Sequence, residues 1–170
     1  MTEEFTLREW RLSDKISLAA NADNINVWNC VRDYFPHPYT VRDGEEFITM
    51  VGNRIGPTVD FAIEIDGAAV GGIGIVLKLD VERVAAEIGY WLGEKYWNRG
   101  IMTGAIKKMA EYSFMTFQIE KLYATVFDFN IASQRVLEKA GFEKEAVLKR
   151  AAIKSNRVMD LHYYGFLRTE

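Results

Sequence analysis

The segment Gly93 to Ala105, GEKYWNRGIMTGA, joins a glycine-bearing loop to the start of a long apolar-periodic stretch. The first turn of a helix leaves backbone N–H groups unpaired and carries partial positive charge. A glycine delivered to that point, here Gly100, lets an anion come close to the backbone. Arg99 and Thr103 add donors beside it. The chemistry this offers is the holding of a phosphate. The plain alternative is a loop that only caps a helix. A nucleotide P-loop is excluded, because no G-x-x-x-x-G-K-[ST] run occurs. Gly71-Gly72-Ile73-Gly74 lies inside a strand pattern and is read as close packing or a bulge.

Two more stretches carry groups that could do chemistry. Glu87-Ile88-Gly89-Tyr90-Trp91-Leu92 places a carboxylate on the strand before that loop. Asn130 to Phe142, NIASQRVLEKAGF, places an amide and a hydroxyl at the start of a short helix. Cys30 is the one cysteine, so there is no intrachain disulfide and no Cys-rich zinc site; it is read as a small buried apolar group. His37 and His162 are the two histidines, too few for the usual His-based catalytic metal centre, so no metal is expected.

These groups need elements to position them. The 170 residues correspond to about one domain at roughly 150 residues each, with no linker, repeat or low-complexity tract. A chain of this length buries about 70% of its unfolded surface, enough to fold without metal or disulfide. Hydrophobic residues at 49% and charged residues at 26% are ordinary globular values. A net charge of −3 gives no bulk signature of nucleic-acid binding. No leader peptide or membrane span is expected, and the expected compartment is the cytoplasm.

The pattern predicts a first strand at 5–11 and a helix from Ser13-Asp14 with Ile16, Ala19 and Ala20 on its apolar face. An irregular aromatic segment follows to Pro38. Thr40 with Asp43 predicts a helix start, with Phe47, Ile48, Val51 and Ile55 on one face and a stop at Gly56-Pro57. Strands are predicted at 59–65 and 68–79 around an Asp66-Gly67 turn, and at 84–92. A helix at about 100–117 carries Met102, Ala105, Ile106, Met109 and Tyr112 on one side. A strand at 122–127, a helix at 130–140 closed by Gly141, and strands at 142–148 and 158–167 complete the chain. The β-α-β stretch from Val84 to Phe127 implies one parallel pair; the hairpins imply antiparallel ones. Lys154-Ser155-Asn156-Arg157 is either a polar hairpin turn or a border of the acceptor site.

GYWLGEKYWNRGIMTGA and NIASQRVLEKAGF together resemble the GNAT superfamily of acyl-CoA-dependent N-acetyltransferases. More narrowly, they resemble its ribosomal-protein N-terminal (alanine/serine) acetyltransferase branch, in which a Ser follows the Asn by three residues. The resemblance spans essentially the whole chain. It implies an α/β GNAT fold, with a mixed, mostly antiparallel seven-stranded sheet and helices on both faces. It implies acetyl-CoA as co-substrate and a primary amine as acceptor, by direct attack in a ternary complex.

The family's pyrophosphate pattern falls on Trp97, Asn98, Arg99, Gly100, Ile101 and Met102, with Thr103 next. Gly100 matches; Trp97 and Met102 depart from it. Tyr90, Trp91 and Leu92 would lie along the pantetheine arm, and Asn130 would bond the pantetheine or the nearby backbone. An alkyl ammonium must lose a proton before it attacks, and Glu87 is the candidate base; its plain alternative is a solvated or ion-paired strand residue. The Leu92 N–H is the implied oxyanion donor. The tyrosine that many members place seven residues after the Asn is replaced by Leu137, and Ser133 is the alternative donor to the leaving thiolate. Its alternative role is capping the helix.

Trp28, Arg32, Phe35 and Tyr39 lie where the family covers its acceptor, with satellite core as the plain alternative for Trp28 and Phe35. His37 is read as a surface turn residue. The first choice of acceptor is a protein or peptide N-terminal α-amine. A small amine or polyamine is the alternative within the class, and a non-catalytic acyl-CoA sensor the alternative outside it. No nucleic-acid or membrane partner is expected. A homodimer through a strand edge or a helix is common in folds of this kind.

Overall fold

The computed structural model describes residues 4–169. Its elements are β1 (Thr6–Arg8), α1 (Lys15–Ala22), α2 (Ile25–Trp28), α3 (Val41–Gly52), β2 (Asp60–Ile65), β3 (Ala68–Leu77), β4 (Ala85–Leu92), α4 (Ile101–Thr116), β5 (Lys121–Phe127), α5 (Ile131–Ala140), β6 (Glu143–Lys154) and β7 (Arg157–Leu167). The strands form one mixed seven-stranded sheet in the order β1-β2-β3-β4-β5-β7-β6. The β4–β5 pair is parallel, while β1–β2, β2–β3, β5–β7 and β6–β7 are antiparallel. This is the expected fold class. The chain divides into two compact units, one up to Gly74 with Tyr90–Ile101, the other Ile75–Gly89 with Met102 onward.

In the first unit the core gathers Leu18, Ala19 and Ala22 of α1 with Tyr39 and Ile48, and Trp10, Phe35, Phe47 and Trp91 pack against it. The expected apolar face of α1 is corrected: Ile16 and Ala20 are exposed. The reason is Asp14, buried where Arg8 grips both of its carboxylate oxygens at 2.7 and 2.8 Å. Residues four and eight positions on, Leu18 and Ala22, share its side of the helix. Thr40 and Asp43 form the reciprocal capping box of α3, as their spacing predicts. That helix stops at Gly52, earlier than expected, and leaves Ile55 fully exposed. Asn53, still right-handed, is its C-cap and donates to the Thr49 and Val51 carbonyls, before Gly56-Pro57 is reached.

Asp66 (φ 49°) and Gly67 (φ 79°) both take the left-handed conformation that a tight hairpin turn demands. The glycine run in β3 is a close-packing device. A Cβ on Gly71 would lie 2.6 Å from the Trp91 carbonyl, and one on Gly72 would lie 2.9 Å from the Trp91 indole nitrogen.

In the second unit α4 buries Met102, Ala105, Ile106 and Met109, the predicted face, and Tyr112 is half-buried. Leu122, Ala124 and Val126 of β5 alternate inward, opposite Phe166, Tyr164 and His162 of β7. Phe166 packs on Phe114 of α4 and on Phe142, with centroids 6.0 and 5.1 Å away. Strand β6 runs six residues beyond its expected end at Leu148. Its register breaks between Leu148 and Ala152, where Arg150 is left-handed, so polar Lys149-Arg150 interrupts the pattern without ending the strand. Ser155 and Asn156 (φ 49° and 61°) form the hairpin turn, and Lys154 is buried beside it.

Candidate active site

The first unit carries the loop that follows β4. Gly93 N–H donates to the Val70 carbonyl at 2.8 Å and holds the end of β4 in place. A short helical turn, Glu94–Tyr96, comes next. Glu94 accepts from the side-chain amides of Asn24 and Asn26, at 2.7 and 2.9 Å, which hold its carboxyl below the ordinary value. The Trp97 indole N–H folds back and donates to the Leu92 carbonyl at 2.7 Å, closing the turn. Asn98 (φ 62°) and Gly100 (φ 76°) are both left-handed, flanking Arg99, and α4 begins at Ile101.

Alternating left-handed residues at a helix start turn successive N–H groups toward one concavity, which suits a phosphate. The loop is also basic. Lys95 and Arg99 lie 4.9 and 5.5 Å from the Tyr96 ring centroid. Met102, at the position where the family pattern is broken, is buried; its side chain goes to the core. Ile101 is buried and Thr103 half-buried in the same first turn. Tyr90 and Trp91 are half-buried and Leu92 is buried at the end of β4.

In the aromatic segment of this unit Tyr39 and Phe35 join the core, while Tyr34 is exposed. Tyr39 is buried, and burial first, then Asp43, pushes its hydroxyl up to about 12. Phe35 packs on Tyr39 and Trp91, with centroids 4.9 and 5.4 Å away. Trp28 is half-buried and lies 5.8 Å from the His37 ring, while Arg32 is exposed. Cys30 is half-buried where a buried side chain was expected. His37 is exposed, with Nδ1 at 3.4 Å from Asp23 Oδ1.

The second unit carries Glu87, Asn130 and Ser133. Glu87 is half-buried on β4, in register with Tyr123 of β5, and Thr125 Oγ1 donates to its Oε1 at 3.2 Å. Asn130 is the N-cap of α5; its side-chain oxygen accepts the Ser133 N–H at 3.1 Å. The amide therefore bonds the nearby backbone. Ser133 is half-buried in the first turn, and Leu137 is buried.

Sequence reasoning missed two supporting residues. Thr125 is one, because its contact depends on strand register. Gln134 is the other: its Nε2 donates to the Asp128 carbonyl at 3.0 Å, and its Oε1 faces His162 Nδ1 at 3.0 Å and the Tyr164 hydroxyl at 3.3 Å. This buried cluster anchors α5 one residue after Ser133. Among the described residues no group of three or more His, Cys, Asp or Glu could hold a metal ion, and no helix is long and apolar enough to cross a membrane.

The acetyltransferase (GNAT) domain model matches residues 4–143. The chain belongs to the GNAT family, and is an acetyl-CoA-dependent acetyltransferase. It is 33% identical to the uncharacterized N-acetyltransferase YnaD of Bacillus subtilis, over 99% of this chain and 96% of that one. Its fold is similar to that of Mycobacterium smegmatis RimJ in complex with CoA-disulfide, with a TM-score of 0.85 and 23% identity over 97% of this chain and 82% of that one. It is also similar to ribosomal-protein-S5-alanine acetyltransferase from Vibrio fischeri, with a TM-score of 0.82 and 17% identity over 98% and 94% of the two chains.

Proposed function

We propose that the protein, acting as one GNAT domain, acetylates the α-amine of a protein or peptide N-terminus. The observation that carries the donor side is the loop 93–100, where Asn98 and Gly100 are left-handed just before α4. Its N–H groups and Arg99 suit the pyrophosphate of CoA. Backbone groups of Tyr90, Trp91 and Leu92 are read as partners of the pantetheine arm. Bound acetyl-CoA supplies an acetyl thioester. Glu87 takes the proton that the acceptor ammonium must lose, the Leu92 N–H steadies charge on the acetyl oxygen, and Ser133 donates toward the departing sulfur.

The acceptor class is supported by the likeness in fold to the ribosomal-protein-S5-alanine acetyltransferase, and by Ser133 standing three residues after Asn130. We read the site as metal-free and the protein as cytoplasmic. Calorimetry with acetyl-CoA, joined to a thiol-release assay over N-terminal peptides and small amines, tests the reading. Turnover on peptides with free α-amines supports it; turnover confined to small amines overturns the acceptor class.

A further inference from the structure

The two helices of the second unit meet one face of its sheet, through Phe114 on Phe166 and Gln134 on Tyr164. The opposite face has another character. Alternation along β5 puts Tyr123 and Thr125 there, with Tyr163 paired to Thr125 and Glu87 paired to Tyr123. The Tyr123 and Tyr163 rings stack at 4.9 Å and 13°. Each ring already takes an ammonium group: Lys78 Nζ lies 5.6 Å from the Tyr123 centroid and Lys121 Nζ 5.2 Å from that of Tyr163.

The two lysines are held differently. Lys121 is ion-paired to Glu145, whose side chain crosses over Gly165, where any Cβ would collide with it. Lys78 is half-buried, with the Tyr123 hydroxyl, Glu87 and Glu82 in its electrostatic surroundings. The Tyr123 hydroxyl first, and those carboxylates after it, hold Lys78 above its ordinary value, so it stays charged. A charged lysine on a flexible stem is a poor nucleophile but a good placeholder. It marks a spot where aromatic faces and the Glu87 carboxylate together favour an ammonium.

We propose that the Tyr123–Tyr163 stack beside Glu87 is the seat of the acceptor's ammonium group, which binds there by displacing Lys78. The ligand class is a primary ammonium on an aliphatic carbon. The seat deepens the preceding reading and rests on it, because it delivers the amine to Glu87 as base.

The test is a titration with n-butylammonium chloride, with 1-butanol as control, followed by the ring NMR signals of Tyr123 and Tyr163, assigned from Tyr→Phe variants. Butylammonium, and not butanol, shifts both rings. Lys78→Met, and independently Lys78→Gln should the first fold poorly, tightens the binding by about two- to fivefold, the range an ammonium over a ring is worth. Unmoved rings, equal shifts with butanol, or unchanged affinity in both Lys78 variants overturns the seat. The titration needs no CoA, so its failure is separable. Ring shifts without thiol release from any amine would sink the catalytic reading of Glu87 alone; thiol release without ring shifts would sink the seat alone.

Discussion

Thr125 Oγ1 stands 3.2 Å from Glu87 Oε1 and donates to it across the parallel β4–β5 pair. The two residues are 38 positions apart, and only the register of that pair brings them together. The bond helps to orient the carboxylate proposed to receive the acceptor's proton. Thr125→Val keeps the strand, since valine is a good strand former, but removes this donor to Glu87. Turnover is expected to fall by roughly tenfold, the worth of one hydrogen bond to a charged group, with acetyl-CoA affinity unchanged. Thr125→Ser restores it. Equal turnover in the valine variant would remove Thr125 from the account.

Gly100 sits at φ 76°, which a β-branched residue adopts only under strain. Gly100→Val costs about 1–3 kcal/mol at that position and displaces the N–H groups proposed to hold the pyrophosphate. Calorimetry should show CoA binding weakened by about tenfold or more, with the far-ultraviolet spectrum unchanged. Wild-type affinity in the variant would mean that the loop does not hold CoA.

Asn130 and Ser133 are separable by what each substitution moves. Asn130→Ala removes the cap of α5 and is expected to cost about 1 kcal/mol, a drop of roughly 2–4 °C in Tm. Ser133→Ala leaves the cap, because the Asn130 side chain accepts the backbone N–H of residue 133. Its Tm should match the wild type while turnover falls. Unchanged turnover would return Ser133 to a structural part of the first turn.

What the sequence showed well was local. Thr40 with Asp43, Asp66-Gly67, and Gly141 after α5 act within a few residues, and each performs its expected job. The loop from Gly93 to Ile101 was legible for the same reason. What it hid depended on distant partners. The inward face of α1 follows from Asp14, whose burial requires Arg8 and, through Arg8, Glu64 on β2. The outer half of β6 was hidden by a break in register and two basic residues. Thr125 was invisible because a strand pattern shows which residues share a face, not which neighbour they meet.

Asp14 also predicts a pH dependence. Burial pushes its carboxyl up, but the Arg8 hydrogen bonds and the Arg11 N–H outweigh that and leave it below the ordinary value. A carboxyl lowered in the folded state adds stability that is present above its unfolded value, and this is lost as pH falls through the folded one. Acid should therefore weaken the protein progressively below about pH 4, and Asp14→Asn should flatten that decline. Parallel acid-unfolding curves for variant and wild type would show that Asp14 does not contribute.

The most direct measurement is thiol release at saturating acetyl-CoA over peptides with free N-terminal α-amines, for wild type and Glu87→Gln, with acetyl-CoA affinity measured alongside. The wild type should turn over, and the variant should lose about 10²-fold or more with affinity intact. A variant that turns over as fast as the wild type, or a wild type that binds acetyl-CoA and acetylates no peptide α-amine, would contradict the proposed function.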